Sequence, residues 1–368
     1  MEASKRKVVA VALVVILVAA AASVVLLSGA LKQTQGATIL DASGTSVAVN
    51  QTPERIVSCS PAITEMVFAL GLGDKVVAVT QFDDYPAKAK ELADAKTIVG
   101  GFSNPSYEAI LNYTPDLVLL EAGAPGHDDL AQQLREAGQS VVVLYAQEDL
   151  ETVYDCIDLL GNVTGTQTVA KTLIEGMKSD VSSIVEKAGS ANDSTDVMFV
   201  IFIGEANLNS PYVAGSNTAI DQVIKLAGGN NAFEVVDGFD MPSEEILTAN
   251  AASVDYIFLT VMNSAWDMDE LLDWLNSNSL WKNSPAVKNN NVYFLTGQAE
   301  SIFNRQSVRM VDAVALMAEI LHPDAFDGSV PHSDDQVNLL GDEYEDYLVG
   351  ETSSETASVA VMAAASKD

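Results

Sequence analysis

Short apolar runs alternate with helically spaced apolar residues through most of the chain. Runs at 55–59, 76–80, 117–120 and 141–144 predict strands, and a helix over about 128–137 separates the last two. Strands that are apolar on both faces are typical of parallel sheets covered by helices. The alternation of strands and helices therefore predicts a first α/β lobe with a parallel sheet.

A long helical pattern follows this lobe. Apolar residues recur at the spacing of one helix face from 150 to 187, and Gly161 and Gly165 are the points where such a helix can break or kink. Strand and helix patterns then alternate again from 197 to 321. We therefore expect an α/β fold of two parallel-sheet lobes joined by a single long helix.

The amino terminus predicts a membrane-spanning segment. Lys5, Arg6 and Lys7 precede an uncharged stretch from 8 to 27, which would span about 30 Å as a helix. Basic residues ahead of the stretch keep that end cytoplasmic and place the rest of the chain outside the cell. A cleaved signal peptide is the alternative, although its apolar stretch is usually about 7–15 residues long. We favour an N-terminal transmembrane helix that anchors the protein.

These patterns divide the chain into six parts. The ends are polar or acidic outside the apolar segment, and they lack the periodicity of packed elements. A short hairpin or strand is expected at 38–49. The parts are an anchor or signal segment (1–30), a tether (31–52), an N-terminal lobe (53–148), the connecting helix (149–189), a C-terminal lobe (190–323) and an acidic, partly disordered tail (324–368).

The composition excludes one class of partner. The chain has 19 Lys and Arg against 51 Asp and Glu, a net charge of −32. Nucleic-acid affinity depends on cations that neutralise phosphates, so we expect no nucleic-acid binding. The two cysteines, Cys59 and Cys156, are expected to be separate buried thiols, and one bridge between them is the alternative.

The sequence carries no motif typical of a catalytic or cofactor site. It lacks a nucleophile elbow, a phosphate-binding glycine loop with lysine, a His-Glu-x-x-His pair and a Cys-x-x-Cys pair. His127, followed by Asp128 and Asp129, is more typical of a solvated helix start than of a metal site. We expect a binding protein with no cofactor and no resident metal. An exported hydrolase with a carboxylate pair is the alternative.

Aromatic residues near predicted strand-to-helix connections indicate a ligand site. Ligands of α/β sheets bind at the carboxyl ends of strands, and aromatic side chains there can form the walls of a cleft. Arg305 lies in a predicted loop, where it can donate a fork of hydrogen bonds to an anionic or amide-bearing ligand. Arg309 falls in the last helix, and we interpret it as neutralising nearby acids. The candidate ligand-binding residues are Phe82, Phe102, Tyr212, Phe239, Trp266 and Arg305.

A faint repeat links the two predicted lobes. Glu108 begins Glu-Ala-Ile-Leu ahead of the run 117–120, and Glu244 begins Glu-Glu-Ile-Leu ahead of the run 256–259. In both places, a helix with a glutamate near its start leads into a buried strand. Spacing alone leaves open whether this is a true repeat or the ordinary pattern of an α/β unit.

Short motifs in a fixed order resemble a known family. They are RIVSCSPAITE at 55–65, LGLG at 70–73, DYP at 84–86, VGG at 99–101, TPDLVL at 114–119, AGGN at 227–230, PAVK at 285–288 and NVY at 291–293. Together, over about 55–321, they resemble the solute-binding proteins of ABC importers for iron chelates and cobalamin. The resemblance implies two α/β lobes joined by one rigid helix, with a shallow cleft and little movement on binding.

The resemblance also implies roles for single residues. It places at Glu108 and Glu244 the glutamates that dock on arginines of the importer's membrane subunits. Val99 and the 121–122 region replace two cleft tryptophans of the cobalamin-binding members. Four candidates fall on ligand-contacting positions of those members: Phe82, Tyr212, Phe239 and Arg305.

The sequence therefore predicts an extracytoplasmic solute-binding protein of an ABC importer. It would capture a metal chelate between its lobes and deliver it to the permease, without catalysis. The favoured ligand is a corrinoid such as cobalamin, and a ferric siderophore or haem stays open. The expected partners are the chelate, the ABC permease subunits and the cytoplasmic membrane, reached through the N-terminal helix. A membrane-tethered sensory or scavenging module without an importer is the alternative.

Overall fold

The computed structural model describes two α/β lobes and the helices between them. The described residues are 38–48, 52–146, 148–189, 195–202, 211–260, 267–326, 330–333 and 337–348. Within these ranges, no helix is both long enough and apolar enough to cross a membrane. The predicted transmembrane helix at 8–27 lies outside the described residues, as do Trp266 and the predicted tail beyond 348.

A short hairpin precedes the first lobe. Its strands, β1 (Thr38–Leu40) and β2 (Ser46–Ala48), pair antiparallel, as expected for 38–49. The turn carries the buried Asp41, whose carboxylate accepts hydrogen bonds from the backbone N–H of Val143 at 3.0 Å and from the Arg135 guanidinium at 2.5 Å. These bonds fix the hairpin to the N-terminal lobe, so the predicted tether is docked here.

Four parallel strands form the sheet of the N-terminal lobe. They are β3 (Ile56–Ser58), β4 (Val76–Ala78), β5 (Leu117–Glu121) and β6 (Val141–Leu144). Their order is β4-β3-β5-β6. All four predicted strands are present, and the parallel sheet is confirmed. The helices of this lobe are α1 (Pro61–Ala69), α2 (Ala87–Asp94), α3 (Tyr107–Asn112) and α4 (His127–Glu136).

The first helix shows how the local sequence sets these elements. Pro61 occupies the first turn of α1, where its missing N–H costs no hydrogen bond. Beyond the helix, Gly71 has a φ of 77°, which glycine adopts without a Cβ clash. Ile63, Met66 and Val67 are fully buried, so the helix is held against the sheet by its apolar side.

Two helices, instead of one, connect the lobes. α5 (Leu150–Thr164) ends at Gly165, whose φ of 78° turns the chain, and α6 (Gln167–Ala188) follows. The expectation of a single long helix is therefore wrong. The two helices pack against each other. A Cβ on Gly161 would lie 2.5 Å from the Cβ of Ala170, so glycine allows this close approach.

A mixed seven-stranded sheet forms the C-terminal lobe. Its strands are β7 (Asp196–Phe202), β8 (Tyr212–Ala214), β9 (Asn230–Asn231), β10 (Phe239–Asp240), β11 (Tyr256–Thr260), β12 (Val292–Leu295) and β13 (Asn338–Leu340). Their order is β10-β8-β7-β11-β12-β13, with β9 also paired to β7.

Part of this second sheet departs from the expected parallel arrangement. The pairs β7–β9, β7–β11, β11–β12 and β12–β13 are parallel, as expected. In contrast, β8 pairs antiparallel with both β7 and β10. The expectation of a parallel sheet is therefore wrong at the β8–β10 edge. The helices of this lobe are α7 (Ala219–Leu226), α8 (Glu244–Ala251), α9 (Met268–Ser277), α10 (Pro285–Lys288), α11 (Gly297–Asn304) and α12 (Met310–Leu321).

The C-terminal lobe extends beyond the predicted boundary at 323. The strand β13 is followed by a 3-10 helix at Asp342–Tyr347. The N–H of Thr296 donates to the carbonyl of Leu340 at 2.9 Å, and the buried Tyr344 hydroxyl donates to Asp312 at 3.1 Å. The expectation of an acidic tail from 324 is therefore wrong for this segment, which belongs to the lobe.

One apolar core joins the two lobes. It takes side chains from both sheets and from α1, α5, α6 and α12, and α12 is buried along its whole length. Two smaller clusters fill the opposite faces of the sheets. Cys59 and Cys156 are both buried and are not bonded to each other, which confirms the expectation of separate thiols. Since a single core spans both lobes, separating them would expose apolar surface to water.

Two glycines of the connecting helices should respond to alanine with opposite signs. Gly165→Ala places a Cβ in the left-handed conformation and should lower the free energy of unfolding by about 1 kcal/mol. Gly176 lies inside α6, where an added Cβ meets no atom within 4 Å, so Gly176→Ala should raise it by about 0.5–1 kcal/mol. Urea unfolding of both variants measures these changes. A stabilising effect of Gly165→Ala would contradict the chain break between α5 and α6.

Candidate functional site

One cavity lies between the lobes, and a second adjoins it within the C-terminal lobe. Their volumes are about 530 Å³ and about 510 Å³, within the range of ordinary small-molecule sites. Asn304, the last residue of α11, and Gln306 line both cavities. The first cavity is otherwise lined mainly by the N-terminal lobe, and the second by the C-terminal lobe. They therefore form one cleft between the lobes, with the end of α11 at its centre.

Five of the six candidate ligand-binding residues line this cleft. Phe82, Phe102 and Arg305 border the first cavity, and Tyr212 and Phe239 border the second. The sixth, Trp266, lies outside the described residues. Phe82 and Phe239 are 49% and 40% exposed, which leaves apolar aromatic surface open to the cleft.

Two of these aromatics lie in short strands of the second sheet. Tyr212 begins β8 and Phe239 begins β10, and the two strands pair with each other. Since β8 leads into α7 and β10 leads into α8, both residues lie near strand-to-helix connections, as expected. Their strands form the antiparallel edge of the second sheet, which brings the two rings to the second cavity.

Arg305 binds the opposite lobe instead of pointing freely into the cleft. Its guanidinium pairs with both carboxylate oxygens of Asp84 and donates to the carbonyl of Phe82 at 3.0 Å. Burial alone would raise the pKa of Asp84, but the hydrogen bond from Arg305 lowers it below its usual value. The Arg305 pKa is raised, because the Asp84 carboxylate outweighs the lowering effect of burial. The predicted hydrogen-bond fork is thus occupied by a carboxylate of the protein.

Arg309 forms a second ion pair across the lobes. It lies just ahead of α12, and its side chain and that of Glu65 in α1 are fully buried. Nε donates to Glu65 Oε2 at 3.0 Å and Nη2 to Oε1 at 2.5 Å. Burial alone would lower the Arg309 pKa, but the Glu65 carboxylate raises it above its usual value. The guanidinium also stacks 3.9 Å from the Tyr85 ring centroid. The interpretation of Arg309 as neutralising a nearby acid is confirmed.

A carboxylate that was not among the candidate residues lies in the first cavity. Glu121, the last residue of β5, lines the cavity and accepts a hydrogen bond from the Ser60 hydroxyl at 2.8 Å. Burial raises its pKa above the usual value. Ser60 precedes α1 as its N-cap residue, yet its side chain forms no capping bond with the helix. The serine therefore holds the Glu121 carboxyl in place instead of capping α1.

His127 is a buried bracing residue at the start of a helix. His127 begins α4, and Asp128 and Asp129 are exposed, as expected for a helix start, but His127 itself is fully buried. Its Nδ1 accepts from the N–H of Glu121 at 3.0 Å, and its Nε2 lies 2.7 Å from the carbonyl of Phe102. Since Nδ1 is the acceptor, Nε2 carries the proton and donates to Phe102. Burial lowers the His127 pKa, which favours this neutral form. The imidazole thus fixes two parts of the cavity wall.

The two predicted docking glutamates are exposed at the starts of short helices. Glu108 is the second residue of α3, which Ser106 caps, and Glu244 is the first residue of α8, which Ser243 caps. Each helix precedes a buried strand, β5 or β11, as the repeat predicts. Counted from the capping serine, however, the residue that matches Glu108 is Glu245. The structure thus places two candidates, Glu244 and Glu245, at the second position.

Comparison with known proteins identifies the family. Residues 56–299 match the family described as periplasmic binding protein. The chain belongs to this family.

Two relatives and one solved structure illustrate the likeness. The chain is 31% identical over 291 residues to an uncharacterized ABC transporter substrate-binding lipoprotein, YvrC, of Bacillus subtilis, which covers 78% of this chain and 86% of the relative. It is 27% identical to a cobalamin-binding protein of Halobacterium salinarum, with 77% and 73% covered. The periplasmic heme-binding protein RhuT of Roseiflexus superposes with a TM-score of 0.62 at 25% identity, covering 74% of this chain and 99% of that structure.

Membership in the periplasmic binding protein family confirms the resemblance inferred from the motifs. One relative is named as an ABC transporter substrate-binding lipoprotein, and another as a cobalamin-binding protein. The chain is therefore a substrate-binding protein and not an enzyme, which excludes the alternative of a hydrolase.

The buried pair of Glu65 and Arg309 should contribute strongly to stability. Glu65→Gln leaves the Arg309 charge buried without its carboxylate and should lower the free energy of unfolding by about 3 kcal/mol or more. Glu54→Gln, which removes the exposed carboxylate paired with Lys75, is the matched control and should cost less than about 1 kcal/mol. Urea unfolding monitored by circular dichroism measures both.

A double variant separates the ion pair from simple loss of packing. Glu65→Met with Arg309→Met removes both charges and should recover much of the stability lost in Glu65→Gln, because no unpaired charge stays buried. Equal stability of Glu65→Gln and Glu54→Gln would contradict a buried pair.

Proposed function

We propose that this protein captures a metal chelate in the interlobe cleft and delivers it to an ABC importer. The observation that carries the proposal is the aromatic lining of the cleft, where Phe82 and Phe102 face the first cavity and Tyr212 and Phe239 the second. Burial of a large, partly apolar ligand against such walls provides affinity. Since the lobes are already joined by a common core, little of that affinity is lost to ordering the protein.

The relatives support a chelate as the ligand. One is named as a cobalamin-binding protein and another as a heme-binding protein. Both ligands are large metal complexes built on a macrocyclic ring, part of whose surface is apolar. We favour a corrinoid as the ligand. Haem is the second candidate, favoured by the likeness to RhuT, and a ferric siderophore is the third.

The N-terminal segment supports a place at the outer face of the membrane. The uncharged stretch at 8–27 follows three basic residues, and the relative from Bacillus subtilis is named as a lipoprotein. Both cysteines of this chain lie far beyond that stretch. We therefore propose an anchor formed by the N-terminal helix, with the two lobes outside the cell.

Removing one aromatic wall from each cavity should weaken chelate binding. Phe82→Ala and Phe239→Ala should each raise the Kd by about tenfold, which corresponds to about 1.4 kcal/mol of lost contact. Calorimetric titration of the full chain with cyanocobalamin, a panel of ferric siderophores and haem measures the Kd. Val185→Ala, at an exposed apolar residue of α6 that lines neither cavity, is the control. If none of these chelates binds the unaltered protein, the proposed function is wrong.

Charge reversal at the docking glutamates should separate delivery from capture. Glu108→Lys with Glu244→Lys should abolish uptake by the reconstituted importer while the Kd for the chelate stays unchanged, because neither residue lines the cleft. Glu108→Lys with Glu245→Lys tests the position that the capping serines indicate. Glu175→Lys with Glu186→Lys, on exposed positions of α6, controls for the change in charge. Loss of chelate binding in the docking variants would contradict these assignments.

A further inference from the structure

Positive charge is scarce around the cleft. Among the described residues that line the two cavities, Arg305 is the only lysine or arginine. The segments 203–210 and 261–266, which follow β7 and β11 in the chain, contain neither residue type. Within the described walls, the guanidinium of Arg305 is therefore the only cation that a ligand in this cleft can contact.

The protein itself neutralises Arg305. Asp84 occupies both nitrogens of its guanidinium fork, and Glu65 Oε1 lies 3.6 Å from Nη1. The Arg305 side chain is only 18% exposed, so the pair is partly shielded from water and salt. An anionic ligand would have to compete with two carboxylates that are already in place.

One carboxylate of the cavity wall has no matching cation. Within the described part of the chain, Glu121 forms no ion pair, and its side chain is held by the neutral Ser60 hydroxyl. The nearby His127 imidazole is neutral, since it accepts from a backbone N–H. Burial raises the Glu121 pKa, as expected for a carboxyl group that lacks a counter-ion. This group can accept hydrogen bonds from a ligand or pair with a ligand cation.

The wall thus combines a neutralised arginine with an unpaired carboxyl group. Burying an anionic ligand there would leave its charge without a partner, which is unfavourable in a partly desolvated site. The net charge of −32 on the whole chain adds a long-range repulsion of anions. An amide-rich or cationic ligand meets neither penalty.

We propose that the cleft selects its chelate by charge, accepting a neutral or cationic metal chelate whose amide or amine N–H groups face Glu121, and excluding anionic chelates. This inference rests on the proposed function, which it narrows to one class of ligand. Of the three candidate ligands, a carboxamide-rimmed corrinoid and a cationic hydroxamate siderophore fit. Haem, with its two carboxylates, and a trianionic ferric tris-catecholate do not.

Titration of the full chain with four probes of different charge tests this selection. The probes are cyanocobalamin, which is neutral, ferrioxamine B, which is cationic, haem and a ferric tris-catecholate. We expect the tighter of the first two to bind at least tenfold more strongly than either anionic probe. Equal or tighter binding of haem or the tris-catecholate would overturn the charge selection and leave chelate capture intact. Absence of binding by all four would overturn the proposed function itself.

Two variants test the residues behind the selection. Asp84→Asn releases the Arg305 guanidinium and should strengthen binding of the anionic probes by about tenfold. Glu121→Gln keeps the size of the side chain but removes its charge, and should weaken binding of ferrioxamine B by about fivefold or more. Glu175→Gln makes the same change in charge outside the cleft and should leave all four Kd values unchanged. Thermal unfolding checks that each variant is folded.

The variants have outcomes that contradict the proposal. Unchanged affinity of the anionic probes in a folded Asp84→Asn variant would show that Asp84 does not keep Arg305 from an anionic ligand. Unchanged affinity of ferrioxamine B in Glu121→Gln would show that this carboxyl group does not contact the ligand. Either result would overturn the assigned mechanism of selection.

Discussion

The ion pair between Glu65 and Arg309 constrains the whole molecule. Its two charges come from opposite lobes and are both fully buried. Neither can leave the other without a large desolvation penalty, so the lobes keep one separation. The common apolar core, with α12 at its centre, adds the same constraint through packing. The cleft is therefore formed before any ligand arrives.

If the cleft binds the ligand as proposed, a cleft of fixed width places the ligand specificity in its walls. Asn304 and Gln306 lie at the junction of the two cavities, directly beside Arg305. The arginine thus has a structural role, since it ties the end of α11 to the loop that carries Phe82. The guanidinium that holds the loop with Phe82 is also paired with Asp84, so its positive charge is not free for a ligand. In the proposed function, Arg305 therefore links the shape of the cleft to its selection of ligands by charge.

The sequence predicts the elements whose signal is local. The strands of the first lobe are continuous apolar runs, and their bounds agree with the structure within about two residues. Helix starts such as Pro61 are equally local. The break at Gly165 is less clear from sequence, because a glycine within a periodic pattern is compatible with either a kink or an end. The strands β8 and β10 are only three and two residues long, too short for any periodicity to indicate their direction.

The site is predicted less completely, for a different physical reason. The aromatic residues were found because they lie outside apolar runs and match a family pattern. The partners of Arg305 and Arg309 could not be found in this way, because Asp84 and Glu65 are more than 200 residues away in the chain. Nothing local distinguishes these two carboxylates from the other acidic residues. The burial of His127 cannot be predicted from its neighbours, because Asp128 and Asp129 are polar, whereas His127 is buried by contact with the loop that carries Phe102.

The returning C-terminal segment gives the cleft a remote support. The first turn of α11 is held by bonds from Thr296 to Leu340, from Gln298 to Asp342 and from Ala299 to Gly341. The last residue of the same helix borders both cavities. A truncation that stopped near 336 would remove an edge strand and untie the far end of this helix. The geometry of the cleft thus depends on residues that, by composition alone, resemble a dispensable acidic extension.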